Sequence, residues 1–275
     1  METLFAHTYL VLFGKLAVGG LLSLAVPPFT KIERGFYTSS GAIYLAFAWI
    51  MLGGLVYLDR LHPESSPVTG ASLAVWSLFG VLFSLYYLTL FIELPVLRAR
   101  LFPAAVVSGF AALVVTAGAY LPTDASAAAW PFLALPFVAG AAISGAALSG
   151  MLLGHWYLID TGLDLAPFKS MLAFCKGCLW VEVAAVVATA TVLWLWPGGG
   201  WGEGLGMALS GRYGLLVAGR IVAWVGAVLL LRMITRTLAI PQTMAATGLF
   251  YIQALVVMGG EIFGHWLLFR TGIPF

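Results

Sequence analysis

Several ionisable side chains lie inside long apolar runs of this sequence, where a charge is costly unless it is paired or faces a cavity. Such residues usually mark a proton path, a binding site or a buried ion pair. Together with the histidines nearer the ends of the runs, they are the side chains with which this chain could do chemistry. They are Lys15, Glu93, Lys176, Glu182, Arg220 and Glu261, with His7, His155 and His265.

An outer set, near one membrane face, consists of His7, Arg220, Glu261 and His265. Glu261 and His265 are four residues apart and therefore share a helix face, where the carboxylate can orient and charge the imidazole. Arg220 lies at a similar depth and is expected to pair with Glu261. Such a set could bind a quinone head group, with a His or Arg donating to a carbonyl oxygen and a His or carboxylate passing the proton. The alternative is an ion pair with histidines that anchor helix ends.

An inner set lies near the other face, and a deeper pair lies between the two sets. Two thiols at i and i+3, with a histidine and a carboxylate nearby, could hold a soft metal. A lone C-x-x-C is more often two small packing residues, so we predict no metal site. The deep pair, Lys15 and Glu182, is expected to be mutually neutralising. The inner set is Glu93, His155, Cys175, Lys176 and Cys178.

Haem is a second redox alternative. A b-haem with two histidine ligands needs both at matching depth on facing helices. His7 and His265 are the pair that the expected topology places near one face, although both lie close to the interface. The sequence has no nucleophile elbow, Walker loop, dinucleotide fingerprint or H-E-x-x-H motif, so chemistry on a soluble substrate would have to come from a partner subunit.

The composition defines the solvent in which these side chains must be positioned. Hydrophobic residues make up 62% of the 275 residues, charged residues only 9%, and the mean hydropathy is +1.02. A soluble domain has about a quarter of its residues charged, so lipid must be the main solvent of this chain. A net charge of +2 without a Lys/Arg run argues against nucleic acid as a partner.

Apolar runs long enough to cross a bilayer, about 20 residues each, predict an all-α polytopic membrane protein. We expect about eight helices in a single transmembrane domain, residues 1–275, with no soluble domain. Short Pro-, Gly- and Ser-containing segments separate the runs. The runs are His7–Pro27, Ser39–Leu58, Ala71–Leu94, Leu101–Leu121, Pro131–Leu158, Met171–Trp196, Tyr213–Met233 and Thr243–Phe269.

The basic residues that flank the helices predict the orientation of the chain. By the positive-inside rule, the side with more of them is cytoplasmic. With an even number of helices both termini then lie outside, in the periplasm if the membrane is a bacterial inner membrane. One side carries Lys31, Arg34, Arg98, Arg100, Lys169, Arg232 and Arg236, and the other carries Arg60, Arg212 and Arg270.

The motif G-x-x-x-G-H-W-x-L-x-x-T-G occurs twice, at residues 150–162 and 260–272. Its glycines allow close helix approach, and its histidine, His155 or His265, follows at the packed face. Both copies end a predicted helix, and these helices run in opposite directions, so one histidine lies near each face. An inverted repeat of the kind found in transporters would explain the echo. Convergence in a Gly- and Trp-rich membrane sequence would explain it equally well.

The two ends of the chain resemble those of the membrane-anchor subunits of polysulfide and dimethyl-sulfoxide reductases. The opening F-A-H-T-Y-L-V-L-F-G-K-L-A-V-G-G, with His7, is similar to their first helix, where a histidine helps to bind quinone. The ending G-E-I-F-G-H-W-L-L-F is similar to a common G-E-x-x-G-R-x-x-F-Y close, with His265 in place of the arginine. The segment His155-Trp156-Tyr157 has no counterpart there.

The resemblance implies a quinol site near the periplasmic face, menaquinone or ubiquinone as the quinone, and partner subunits that carry iron–sulfur clusters or haems. The candidate quinone ligands are His7, Arg220, Glu261 and His265, with His155 and Tyr157 as further candidates. Apart from haem b, two other interpretations stay open. Buried charge and the internal echo favour a small-solute transporter, and near-absent loops suit a structural subunit that contacts lipid and other chains through Gly-rich faces.

Overall fold

A computed structural model describes residues 2–61, 70–120, 130–160, 162–195, 201–211, 213–240 and 242–274. All regular secondary structure in these ranges is helical, and eight of the helices are long and apolar enough to cross a membrane. The predicted all-α, eight-span membrane protein is confirmed. The helices are α1 (Glu2–Ser23), α2 (Arg34–Leu61), α3 (Gly70–Leu88), α4 (Pro95–Ala119), α5 (Trp130–Ile159), α6 (Ala166–Leu195), α7 (Trp201–Leu209), α8 (Gly214–Ala239) and α9 (Thr243–Thr271).

Several helices end at positions other than those expected from hydropathy. Helix α3 ends at Leu88, and α4 begins at Pro95, where the fixed φ of proline suits the first helical position. Helix α8 continues to Ala239, beyond the predicted end at Met233, so Arg236 lies in its last turn rather than in a loop. Charged residues can extend a helix beyond its apolar core, because the backbone gains its own hydrogen bonds in either solvent.

The short helix α7 was not predicted. Its nine residues, W-G-E-G-L-G-M-A-L, contain three glycines and are too few to cross a bilayer. The helix packs across the end of α9, where a β-carbon at Gly204 would lie 2.3 Å from the carbonyl oxygen of Thr271. Tertiary contact therefore stabilises a segment whose composition favours a loop.

The first and last helices are antiparallel neighbours. The carbonyl oxygen of Thr8 lies 3.2 Å from Nδ1 of His265, and the rings of His7 and Phe269 are 6.3 Å apart. We call the end of the bundle that holds His7 and Phe269 the terminal end. The opposite end holds the predicted cytoplasmic cations, including Lys31, and we call it the basic end. The start of α1 and the end of α9 therefore lie on one side.

The spanning helices pack in chain order within each half, α1 to α4 in the first half and α5, α6, α8 and α9 in the second. Helices α1 and α5 join the halves and cross in parallel at Gly19 and Gly145. A β-carbon at Gly19 would lie 1.7 Å from the carbonyl oxygen of Ala141, and one at Gly145 would lie 1.9 Å from the carbonyl carbon of Gly19. Only glycine permits this backbone contact, which is how small residues bring membrane helices together.

Helices α5 and α9 carry the repeated motif and pack directly against each other, antiparallel. The ring of Phe250 lies against Gly150, and the side chain of Thr247 lies against Gly154. The first motif thus packs near the start of α9 at the basic end, whereas the second ends at the terminal end. The histidines of the two copies differ accordingly, since His155 is exposed and His265 is 2% exposed. The two copies of the repeated motif therefore place their histidines in two different environments.

At the basic end, an exposed ion pair joins the α1–α2 loop to the α5–α6 loop. Nζ of Lys31 lies 3.0 Å from Oδ2 of Asp164, whose other oxygen accepts the N–H of Ala166 at 3.1 Å. The Ala166 N–H and the Lys31 ammonium together hold the pKa of Asp164 below its ordinary value. The carboxylate thus caps the start of α6 and links two loops.

Asp164→Asn is expected to lower the midpoint of thermal unfolding at neutral pH by roughly a degree or two, since exposed ion pairs contribute little. A carboxyl whose pKa is depressed in the folded state stabilises that state above its unfolded pKa of about 4. This contribution is lost as the pH falls through the native pKa. Thermal unfolding in nanodiscs from neutral to acidic pH should show the two proteins converging. A difference that is the same at every pH would contradict this assignment.

Candidate functional site

The most concentrated polar chemistry among the described residues is a group of four charged side chains from four helices, α1, α6, α8 and α9. Nζ of Lys15 lies 2.6 Å from Oε2 of Glu261, and a guanidinium nitrogen of Arg220 lies 2.7 Å from Oε1 of the same carboxylate. Arg220 also donates to Oε1 of Glu182. We call these four residues the ion-pair cluster. It holds two cations and two anions, so its formal charge is zero.

The cluster confirms one predicted pair and corrects another. Arg220 pairs with Glu261, as expected from their similar depth. Lys15 does not make its ion pair with Glu182: its partner is Glu261, and Glu182 pairs with Arg220. The deep pair and the outer set therefore form one group, because Arg220 can donate from one guanidinium to two carboxylates at once.

The helices around the cluster are shaped to hold these charges away from lipid. All four side chains are at most 5% exposed. A β-carbon at Gly140 of α5 would lie 2.6 Å from Oε2 of Glu261, so the missing side chain there leaves room for the carboxylate. The indole N–H of Trp224 donates to Oε2 of Glu182 at 3.2 Å. The charges are thus satisfied inside the bundle, as the low dielectric of a membrane requires.

His265 adjoins the cluster, one turn after Glu261 on α9. Its Nδ1 lies 3.2 Å from the carbonyl oxygen of Thr8, and its Nε2 lies 3.8 Å from Oε2 of Glu261. Nε2 is buried and has no hydrogen-bond partner in the part of the chain that the structure describes. If Nδ1 donates its proton to Thr8, Nε2 is left as an acceptor. If His265 is protonated, Nε2 carries a proton that no described group accepts.

His7 lies farther toward the terminal end than His265 and has its own contacts. Its Nδ1 lies 2.9 Å from the hydroxyl oxygen of Tyr120, at the end of α4. The rings of Tyr120 and Phe269 meet edge to face, with centroids 4.8 Å apart. His7, Tyr120 and Phe269 thus form an aromatic group with two groups that can donate or accept a proton, outside His265 and the ion-pair cluster.

The remaining candidate quinone ligands lie away from this group, at the basic end. His155 is exposed, with Nδ1 3.3 Å from the hydroxyl oxygen of Tyr251. Tyr157 is buried and donates its hydroxyl to the backbone oxygen of Asp164, where it holds the α5–α6 loop. The structure therefore brings Arg220, Glu261 and His265 together and separates His155 and Tyr157 from them.

The inner set is not gathered into a cluster. Cys175 and Cys178 are buried free thiols, whereas Glu93 is exposed in the turn before α4. Among the described residues, no group of three or more His, Cys, Asp or Glu side chains is placed to hold a metal ion. The C-x-x-C therefore lies in the helix packing of α6.

Comparison with known proteins adds no assignment to this site. No family model, curated protein or solved structure matches the chain.

Proposed function

We propose that this chain is the quinone-binding membrane subunit of an electron-transfer complex, with the quinone head group near the terminal end beside His265. The observation that carries the proposal is the unpartnered Nε2 of His265, buried 3.8 Å from Glu261. A buried polar atom without a partner is costly and calls for an explanation, of which a bound ligand or water is one. With Nδ1 donating to the carbonyl oxygen of Thr8, Nε2 would accept the hydroxyl proton of a bound quinol.

The ion-pair cluster supports the acid–base part of this role. The Glu261 carboxylate, 3.8 Å from Nε2, would stabilise the imidazolium that forms when His265 takes a proton from the quinol. Quinone reduction consumes electrons and protons in equal number, so a histidine that can gain and lose a proton beside the carbonyl oxygen is the group this chemistry needs. The His7–Tyr120 pair lies between His265 and the terminal end and would exchange protons with the aqueous phase.

The electrons would pass to or from a partner subunit that carries iron–sulfur clusters or haems. This chain has two cysteines, fewer than the four that hold a typical cluster. The excess of basic residues at the opposite end would place the terminal end, and hence this site, in the periplasm of a bacterial inner membrane. The quinone is menaquinone or ubiquinone, and both present the same pair of carbonyl oxygens to His265.

His265→Gln is expected to weaken quinol binding roughly tenfold, because the hydrogen bond to Nε2 is lost. We would titrate the purified full chain with reduced, short-tailed ubiquinone and menaquinone analogues and follow tryptophan quenching. His155→Gln is the matched control, since it changes the equivalent residue of the first motif, at the basic end. Its affinity should equal that of the wild type.

Equal affinities in all three proteins, or no saturable binding to the wild type, would reject the quinone site. The midpoint of thermal unfolding of each variant shows whether a loss of binding reflects unfolding. A b-type haem spectrum that disappears in His265→Gln would instead assign the free Nε2 to haem iron.

One observation favours proton-coupled transport of a small solute as a second candidate. Gln253 lies two turns before Glu261 on α9, toward the basic end, and is fully buried. Neither the oxygen nor the nitrogen of its amide has a hydrogen-bond partner in the described ranges. A water molecule bound there would extend the line of polar groups from the ion-pair cluster toward the basic end. Solute-dependent proton uptake by liposomes that contain the chain alone would support transport. Without such uptake, the quinone-binding subunit would be the remaining candidate function.

A further inference from the structure

A groove opens between α6 and α8 in the half of the membrane nearer the basic end. Its volume is about 250 Å³. The side chains of Leu179 and Leu231 form its buried floor, and Trp180 is 60% exposed beside it. Two cations, Lys176 and Arg232, complete the lining. The groove therefore combines an apolar surface with concentrated positive charge.

Neither cation makes an ion pair with any residue that the structure describes. This sets Lys176 and Arg232 apart from Lys15 and Arg220, whose charges are neutralised within the bundle. Two like charges that line one small groove repel each other, and the repulsion is stronger in a low dielectric than in water. A counter-ion from outside the chain would relieve it.

The depth of the groove identifies where that counter-ion comes from. Helix α6 has 30 residues, and is thus about 45 Å long, whereas the hydrocarbon core of a bilayer is about 30 Å thick. Lys176 lies ten residues into α6, about 15 Å from its start, and Arg232 lies seven residues before the end of α8. With each helix centred on the bilayer, both backbones lie roughly 6–8 Å inside the hydrocarbon boundary, and their long side chains reach the headgroup level.

We infer that this groove binds an anionic phospholipid, whose phosphate pairs with Lys176 and Arg232 while an acyl chain covers the apolar floor. A phosphate supplies the missing negative charge at the headgroup level, and basic pockets between membrane helices bind anionic lipids in this way. Trp180, four residues deeper on α6 than Lys176, is exposed and placed to contact the acyl chain. The site lies toward the opposite membrane face from His265 and does not depend on the quinone proposal.

The test measures lipid binding to the full chain by native mass spectrometry in a mild detergent, with phosphatidylglycerol and phosphatidylcholine as probes. Wild-type protein should retain phosphatidylglycerol in preference to phosphatidylcholine. The double variant Lys176→Gln/Arg232→Gln should bind phosphatidylglycerol roughly thirtyfold more weakly, since each basic residue at an anionic surface adds substantially to binding. Its binding of phosphatidylcholine should not change.

The matched control is Arg60→Gln/Arg270→Gln, which removes the same charge from exposed arginines at the terminal end and should bind like the wild type. The charge-conserving variant Lys176→Arg/Arg232→Lys should also retain the lipid. Equal preference for phosphatidylglycerol in the wild type and the groove variant would overturn the inference. So would displacement of the lipid by millimolar inorganic phosphate, because a site for the free ion would not need the acyl chain.

Discussion

Gly145→Leu is expected to prevent this protein from accumulating in a folded state. At Gly145 the backbone of α5 touches the backbone of α1, and the nearest atoms to an added β-carbon are the carbonyl carbon and oxygen of Gly19, at 1.9 and 2.2 Å. Backbone atoms cannot rotate away as a side chain can, so the two helices would have to separate. We expect a loss of more than about 3 kcal/mol, beyond the usual cost of overpacking.

The effect should spread beyond the crossing, because α1 also positions Lys15 against Glu261 on α9. The measurement is the yield of monodisperse protein by size-exclusion chromatography in detergent, followed by thermal unfolding. Gly248→Leu is the matched control, since it adds the same side chain in a helix where a β-carbon meets no atom within 4 Å. If both variants gave the same yield and midpoint, α1 and α5 would not be in backbone contact.

Glu261→Gln is expected to destabilise the folded protein strongly. It removes an anion that binds two cations, and leaves Lys15 and Arg220 with Glu182 as the remaining carboxylate of the cluster. An uncompensated buried charge costs about 3–5 kcal/mol. Lys15→Met alone leaves one excess negative charge, and should also destabilise the protein.

The double variant Lys15→Met/Glu261→Gln keeps the pair between Arg220 and Glu182 and restores a net charge of zero. It should be more stable than Glu261→Gln, although a second side chain of the cluster has been replaced. The expected coupling free energy is about 1–3 kcal/mol. Denaturant unfolding of the wild type, both single variants and the double variant measures this coupling. Strictly additive effects would show that Lys15 and Glu261 do not interact.

Much of the fold could be predicted from the sequence, because lipid allows a chain few solutions. A spanning segment must satisfy its own backbone hydrogen bonds, so a run of about 20 apolar residues is a helix almost without regard to propensity. The helix ends were less predictable, since water and lipid both tolerate an extra turn there. Helix α7 escaped prediction because its glycines disfavour a helix and its contacts with the end of α9 were unknown.

The site could be predicted in part. Depth along each helix was enough to pair Arg220 with Glu261, but depth alone cannot say which faces meet. The rotation of α1 and its crossing with α5 direct Lys15 toward Glu261 rather than Glu182, and this depends on glycines at 19 and 145. Small residues are the usual signal of such a crossing, but in a chain with 32 glycines they do not identify which two meet.

Two further members of the site carried even weaker signals. Tyr120 follows the end of α4, and its hydroxyl bonds Nδ1 of His7. Trp224 lies within an apolar run, one turn after Arg220, and its bond to Glu182 required knowledge of how α6 packs against α8. Helical spacing from Arg220 would have identified Trp224 as a neighbour of the cluster, whereas nothing in the sequence brings Tyr120 to His7.

The central claim is that His265 and the ion-pair cluster serve a quinone, and the most direct test is the quinone content of the purified protein. The full chain would be extracted from its native membrane into lipid nanodiscs, and its quinones extracted and compared with those of the bulk membrane. We predict stoichiometric quinone in the wild type and in His155→Gln, and its loss in His265→Gln, together with a partner subunit that carries redox centres. Wild-type protein with no quinone above the level of the surrounding lipid would contradict the claim.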